Sequence, residues 1–468
     1  MRPVALLFCL LLILLGSSIP LAAQQLHDTG MTAVISRIEI SGNEITRSPV
    51  ILREMNIREG DTIQVDQLPE ILQEAKRRLL NLTIFTTCEI HSNWSVGKPL
   101  IIQVTVQERW HIIPNPIFQL ADRNFNVWWT EMHRDLRRIN AGIKVTDNNF
   151  RGNLESLSAT VQAGYTPLLA LEYMRPYIDK RQQQGIGFGI SVSQSGELAY
   201  KTDSNKLLFA RLPGSHIIRQ YDGSFTWYYR PGYPIRHSLT IGWHDYGISD
   251  TVLRLNRNYF GNGSNTLKYG DLTYRQDYNG VDNWNYPLRG IKSVNYLILR
   301  STFQAEGWQA QWHTETGAFF QPSGKDGRLF VSAILRGRLM WQQGTPYFFQ
   351  SALGTKTDYV RGYEYYVVDG SSYALLRFDL KYALFKKNFG GLPFQYLPEI
   401  PVRILPKLFA DAGYAHHPTP GNSYLNDRLL YSAGVGVDIV TTYDIKIRLE
   451  AAVNHLGQYG LYLHLNSE

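Results

Sequence analysis

Arg361 and two later carboxylates, Asp379 and Asp411, are the residues whose types and spacing favour a specific chemistry. Arg361 lies in a VRGY sequence with Gly362, which can turn closely against a wall, and Tyr363, which can pack against one. The planar guanidinium of arginine can bridge two carboxylates, which lysine does less well. Inside a space sealed from water it needs such partners, because an unpaired buried charge is strongly destabilising. The pattern therefore predicts an ionic latch.

The segments around the two aspartates determine where such a latch lies. From 373 to 384 every second residue is apolar, and Asp379 falls on the opposite, polar face. From 408 to 415 the same alternation separates Asp411 from an apolar face. If the apolar faces meet lipid, both carboxylates point into the lumen of a barrel.

The first 23 residues have the order of a secretory signal peptide. Arg2 precedes an apolar stretch at 4–15, and small residues lead to an expected cleavage site near Ala23. The alternative is an uncleaved anchor, although the apolar stretch is shorter than the ~20 residues of a spanning helix. Cleavage leaves Cys88 as the only cysteine, so we expect no intrachain disulfide.

Composition narrows the class of protein. After Ala23 no run of ~18 apolar residues occurs, which excludes a helical membrane bundle. Aromatic residues nevertheless make up 13% of the chain, as in a transmembrane β-barrel with aromatic girdles. The formal charge of +7 is spread along the chain, whereas nucleic-acid binding favours a basic patch. It indicates a basic lumen, contact with anionic headgroups, or scattered solvated charge.

Residues 24–112 have the pattern of a small α+β domain with the order β-α-α-β-β. The predicted elements are a strand at 34–40, helices at 48–55 and 67–80, and strands at 85–91 and 100–107. This order, with turns at Gly42-Asn43 and Glu59-Gly60-Asp61, resembles a polypeptide-transport-associated (POTRA) domain. The resemblance implies a periplasmic domain that binds extended chains by strand addition. The candidate edge consists of Thr86, Thr87, Cys88, Glu89 and Ile90.

The alternative for this edge is that the neighbouring helix simply covers it.

Residues 113–468 alternate with a period of two over most of their length. Small or polar residues on one face and apolar residues on the other are typical of a membrane barrel, and a soluble sandwich is the poorer alternative. The 356 residues of this region allow about 16 antiparallel strands at roughly 22 residues for each strand and its connection.

Several short motifs carry a resemblance to BamA-type outer-membrane assembly barrels and their relatives. They are DNNFRGN at 147–153, RPY at 175–177, YPLRG at 286–290, the VRGY sequence, and FADAG at 409–413. The resemblance implies a loop that folds into the lumen and pairs Arg361 with Asp379 and Asp411.

It also implies a lateral seam between the first and last strands, expected near 117–129 and 460–465. The candidate seam residues are Phe125, Val127, Gly460, Leu461, Leu463 and Leu465.

These features predict an insertase in the outer membrane of a Gram-negative bacterium, with its POTRA domain in the periplasm. The expected partners are unfolded outer-membrane or exported polypeptides, outer-membrane lipid and lipopolysaccharide, and accessory assembly proteins, with no nucleic acid, cofactor or metal. The alternatives are a transporter dedicated to one passenger and a passive porin. An enzyme is not expected, because the histidine pair His416-His417 has no evident nucleophile nearby. The last strand also resembles the sorting signal of a barrel client, although Asn466-Ser467-Glu468 follow it.

Overall fold

The computed structural model describes most of the chain after residue 30. The described residues are 31–82, 84–95, 98–212, 215–261, 263–302, 308–324, 327–341, 346–355, 357–390, 399–441 and 446–465. The expected signal peptide lies outside them. Among these residues, no helix has both the length and the apolar character needed to span a membrane.

The N-terminal domain has a four-stranded sheet and two helices. Its elements are β1 (Thr32–Ser41), α1 (Ser48–Met55), β2 (Thr62–Gln64), α2 (Leu68–Leu80), β3 (Phe85–Asn93) and β4 (Leu100–Glu108). The strand order is β2-β1-β4-β3, with β1 parallel to β4 and the other pairs antiparallel. The sequence pattern missed β2, because three residues are too few to show a period.

Local chemistry explains both helices. Pro49 occupies the first turn of α1, where its missing N–H costs no helical hydrogen bond, and Asn56 ends the helix in the left-handed region with a φ of 56°. Helix α2 buries one apolar stripe against the sheet, which consists of Leu68, Leu72, Ala75 and Leu79. Burial of each leucine contributes about 1.5–3 kcal/mol.

Cys88 lies in the same core and is fully buried. Burial raises the pKa of its thiol to about 11. The reactive thiolate is therefore scarce at neutral pH.

The rest of the chain forms a closed antiparallel barrel, which confirms the predicted fold class. Its strands are β5 (Ile112–Leu120), β6 (Ile139–Phe150), β7 (Glu155–Gly164), β8 (Leu168–Arg175), β9 (Gln184–Ser195), β12 (Ile218–Tyr229), β13 (Ile235–Ile248), β14 (Thr266–Val281), β15 (Gly290–Thr302), β16 (Trp308–Phe320), β17 (Leu329–Trp341), β20 (Ser372–Tyr382), β21 (Phe385–Gly390), β22 (Glu399–His416), β23 (Leu430–Val440), β24 (Lys446–Asn454) and β25 (Tyr459–Leu465).

The 17 strand segments make 16 barrel positions. Strands β20 and β21 pair with consecutive parts of β22: Ser372 lies opposite His416 at one end, and Gly390 lies opposite Glu399 at the other. The two segments are one strand interrupted at 383–384. The number agrees with the one expected from chain length.

Side chains alternate between the outer wall and the lumen as the period of two requires. On β20 the apolar side chains of Leu376 and Phe378 are 46% and 44% exposed, whereas Arg377, which lies between them, and Asp379, at the next inward position, are buried. On β22 Leu408 is 56% exposed and Asp411 is buried. The outer wall therefore has the apolar surface that lipid solvates.

The first barrel strand differs from its prediction. It covers Ile112–Leu120 rather than 117–129, and the chain then forms helix α3 (Phe125–Thr130). Phe125 and Val127 therefore lie on a helix. The Asn124 side chain caps this helix by accepting a hydrogen bond from the Val127 N–H at 2.9 Å.

The two rims of the barrel carry different structures. The rim beside the N-terminal domain, called the near rim, consists of turns such as 176–183 and 230–234. The opposite, far rim carries α3, helix α4 (Asp250–Leu255), and two small hairpins. These hairpins pair β10 (Glu197–Asp203) with β11 (Lys206–Arg211), and β18 (Ser351–Leu353) with β19 (Val368–Asp369).

Candidate functional site

The connection between β17 and β20 folds back into the lumen and carries the VRGY sequence. Val360 and Tyr363 are buried. Gly362 has a φ of +89°, and a Cβ added to it would lie 3.3 Å from the Cβ of Ala452 on the barrel wall. A glycine is therefore suited both to the backbone conformation and to the close approach.

Arg361 is buried among acidic side chains of the wall. Its Nη1 lies 2.7 Å from Asp379 Oδ1, and its Nε lies 2.9 Å from Asp411 Oδ2. The Arg361 backbone N–H also donates to Asp411 at 3.0 Å. The guanidinium lies 4.0 Å from the ring centre of Phe409, in a cation–π geometry. The structure thus brings together the arginine and both aspartates that the sequence pattern selected.

Further charges, which the sequence pattern did not select, complete this latch. Glu450 Oε1 lies 3.3 Å from Arg361 Nη1 and 2.7 Å from Lys407 Nζ. Lys407 also lies 2.6 Å from Asp438. All these side chains are buried. Alternation places Glu450 on an inward face, but only barrel closure decides which loop it meets.

The same loop reaches the last barrel strand. Glu364 lies 3.4 Å from Nε2 of His464 on β25, and Tyr359 stacks on the His464 ring with centroids 5.1 Å apart. Glu364 and His464 are both buried. The latch loop is therefore coupled to one side of the expected seam.

The seam edge of β5 lacks two hydrogen-bond donors. Two bonds determine the direction of its backbone groups: the Ala121 N–H donates to Arg138 O, and the Asn148 N–H donates to His111 O. Because these residues continue the register of β5 with β6, odd-numbered residues of β5 face β6 and even-numbered ones face the seam. Pro114 and Pro116 therefore face the seam without an N–H.

The seam edge of β25 is determined in the same way. The Asn454 N–H donates to Gln458 O, so even-numbered residues of β25 face β24, and Leu461 and Leu463 direct their backbone groups to the seam. The Leu461 side chain is 67% exposed on the outer wall. Gly460 faces β24, and a Cβ there would lie 2.5 Å from the Tyr462 hydroxyl oxygen.

Leu465 ends β25, and its side chain lies outside the described residues. Strands β25 and β5 are neighbours where the barrel closes. Over the described residues no ladder comparable to those of the other neighbouring strands joins them.

The candidate peptide-binding strand of the N-terminal domain lies at a sheet edge. Among the described residues, strand β3 pairs with β4 alone, and an irregularity in register falls at Thr86. Thr87 and Glu89 are exposed, Ile90 is half-buried, and Cys88 points into the core. Lys76 of helix α2 lies 3.0 Å from Glu89, and this ion pair is accessible to solvent.

A buried ion pair, which no sequence pattern predicted, joins the N-terminal domain to the near rim. Glu54 of α1 accepts two bonds from Arg230, at 2.8 and 3.1 Å, and one from the Tyr177 hydroxyl at 2.8 Å. Burial opposes the Arg230 charge, but the Glu54 carboxylate outweighs it and raises the pKa of Arg230. Burial also raises the pKa of Tyr177 to about 12, which keeps its hydroxyl a donor.

The family model described as "POTRA: Surface antigen variable number repeat" matches residues 33–109. Over 75 residues the chain is 40% identical to the outer membrane protein assembly factor BamA of Neorickettsia risticii, a match that covers 16% of this chain and 10% of that protein. The chain thus spans a small part of this relative's length.

Two solved structures cover 92% of this chain. BamA from Haemophilus ducreyi lacking POTRA domains 1–3 has a TM-score of 0.53 and 15% identity, with 83% of that chain covered. CdiB from Escherichia coli has a TM-score of 0.54 and 12% identity, with 75% of that chain covered. The described chain therefore combines one POTRA domain with a barrel of the BamA and CdiB fold.

Proposed function

We propose that this protein inserts β-barrel proteins into the outer membrane, with its POTRA domain in the periplasm and its seam as the site where a client strand pairs. The observation that carries this proposal is the seam itself. The edge of β5 has two prolines where donors are needed, and over the described residues its pairing with β25 is weaker than the ladders between the other neighbouring strands. Unsatisfied backbone groups are costly in lipid, so a client strand that satisfies them gains free energy.

The POTRA edge supplies an earlier step in the proposed pathway. Strand β3 offers backbone groups to an extended, unfolded client with little sequence selectivity. The same surface can receive accessory assembly proteins. The apolar outer wall and its aromatic side chains contact outer-membrane lipid and lipopolysaccharide. The histidine pair at 416–417 has no part in this function: His416 pairs with Asp427, and His417 contacts Gln350.

Export of one passenger through the lumen is the second candidate function. The barrel resembles CdiB as closely as BamA, with TM-scores of 0.54 and 0.53. The two functions require different movements. A passenger that crosses the lumen must displace the Arg361 latch, whereas a client at the seam need not.

Depletion of the protein, followed by quantitative proteomics of the outer membrane, tests the proposal. An insertase predicts a broad loss of β-barrel proteins. Loss of one exported protein would support the transporter, and unchanged protein levels with altered solute uptake would support a porin.

Replacing Pro114 and Pro116 with valine is expected to slow insertion. The double variant supplies two N–H donors to the seam edge of β5 and keeps apolar side chains on an exposed face. At about 1 kcal/mol for each net hydrogen bond, seam pairing strengthens by up to roughly 30-fold. The measurement is the rate at which an unfolded barrel protein folds into proteoliposomes that contain the variant.

Asn115→Val is the matched control, since its backbone N–H already faces β6. An insertion rate equal to that of the parent, with slower hydrogen exchange at β25, would show that the seam strengthens without affecting activity and would contradict the proposed role.

A further inference from the structure

Helix α3 lies against the last barrel strand beyond the end of the first. Strand β5 ends at Leu120, and the Asn126 side chain of α3 contacts β25. Its Nδ2 donates to the Leu461 carbonyl oxygen at 2.7 Å. Its Oδ1 accepts from the Leu463 N–H at 3.3 Å. One side chain thus satisfies two seam-facing backbone groups.

These two bonds take the place of those that a neighbouring strand would make at this edge. A neighbouring strand satisfies a carbonyl and an N–H two residues apart, and a carboxamide has one donor side and one acceptor side in the same plane. Asn126 therefore occupies the positions that a client strand must take to extend the sheet at Leu461 and Leu463.

The helix is fixed to the latch loop. The Asn124 Nδ2 and the Arg123 Nε both donate to the Glu364 carbonyl oxygen, at 2.8 and 3.2 Å. Val127 of the same helix is buried. Asn126 thus projects from a helix that is anchored two residues beyond Gly362, so the latch loop and the seam edge share one support.

We propose that Asn126 is a displaceable cap on the seam edge of β25, which satisfies this edge while no client is bound and which an incoming strand must replace. The proposal rests on the proposed insertase function for the client, but the cap itself does not depend on it. A side chain that makes two hydrogen bonds is replaceable by a strand that makes several. While the cap is in place, only a fraction of the molecules is competent to bind a client. Removal of the cap therefore raises the apparent affinity for the client by up to the inverse of that fraction.

Hydrogen exchange on the full-length protein in lipid nanodiscs tests the cap. In Asn126→Ala the Leu463 amide is expected to exchange at least about fivefold faster, because its acceptor is lost. Asn126→Asp keeps that acceptor and loses the donor to Leu461, so a smaller increase is expected. The control is Thr130→Val, which removes a hydroxyl that donates to the Asn126 backbone oxygen within the same helix.

Insertion of an unfolded eight-stranded barrel protein into proteoliposomes tests the competition. The proposal predicts that Asn126→Ala exchanges faster at Leu463 and inserts the client faster, by about threefold or more, while Thr130→Val matches the parent in both. Unchanged exchange in Asn126→Ala would overturn the cap, whatever the protein's function. Faster exchange with unchanged or slower insertion would overturn the competition and show that clients do not use this edge, which also counts against the proposed seam route.

Discussion

Arg361→Ala is expected to reach the membrane as a closed barrel and to lose insertion activity by tenfold or more. Asp411 accepts hydrogen bonds from Nε, Nη2 and the backbone N–H of Arg361, and its contact with Arg377 is longer at 3.7 Å. Removing one partner of a buried pair leaves an uncompensated charge and costs about 3–5 kcal/mol. This loss of free energy destabilises the loop rather than the barrel wall, because the backbone hydrogen bonds between strands hold the wall without the loop.

Two measurements separate the latch from the barrel. Heat-modifiable migration on gels reports the closed barrel and is expected to be unchanged, whereas hydrogen exchange at 357–367 is expected to increase. Arg275→Ala is the matched control, because this arginine forms its ion pair with Asp277 on its own strand rather than across to a loop. Arg361→Lys is expected to retain part of the activity, since a lysine keeps the charge without the planar fork.

The double variant Asp379→Asn, Asp411→Asn tests the same latch by changing the two residues of the barrel wall that contact Arg361. It leaves Arg361 buried with Glu450 as its remaining carboxylate in the latch, and a similar loss of loop order is expected. If purified Arg361→Ala inserts clients at the parental rate although its loop is disordered, the latch orders the loop but has no role in insertion.

Replacement of Glu54 with alanine is expected to release the POTRA domain from the near rim. The carboxylate is 1% exposed and holds Arg230 through two bonds, with Arg53 at 3.3 Å on its other side. Without it, two guanidinium groups face each other in a buried interface. We expect docking to weaken by about 3 kcal/mol, which is more than a hundredfold.

Distances between spin labels on the two domains measure this docking. Labels at the exposed positions Glu70 and Ser323 are suitable, since the buried Cys88 thiol does not compete for the reagent. The parent is expected to give one narrow distribution and Glu54→Ala a broad one.

Glu74→Gln is the control, because Glu74 pairs with two arginines at the surface with its side chain 36% exposed, and such surface pairs contribute at most about 1 kcal/mol. A narrow, parental distribution in Glu54→Ala would show that other contacts, such as the bond from Asn149 to Thr46, fix the domain.

The sequence alone was sufficient to predict those features of the structure that depend on neighbouring residues in the chain. Side-chain direction along a strand repeats every two residues, so alternation placed Asp379 and Asp411 in the lumen before any strand was paired. The POTRA order, the barrel class and the number of strands follow from the same local periods and from length. The helix at 125–130 departs from its local pattern: Phe125, Val127 and Trp129 alternate like a strand, but the Asn124 cap and the contacts with Glu364 stabilise a helix.

Tertiary structure decided the pairings that join distant parts of the chain. Glu450 is 89 residues from Arg361, Arg230 is 176 from Glu54, and Leu461 is 335 from Asn126. No local period relates such residues, because their meeting depends on barrel closure and on how the POTRA domain docks. The sequence therefore determined which side chains face the lumen, whereas closure of the barrel decided which charges meet there and which backbone groups face the seam.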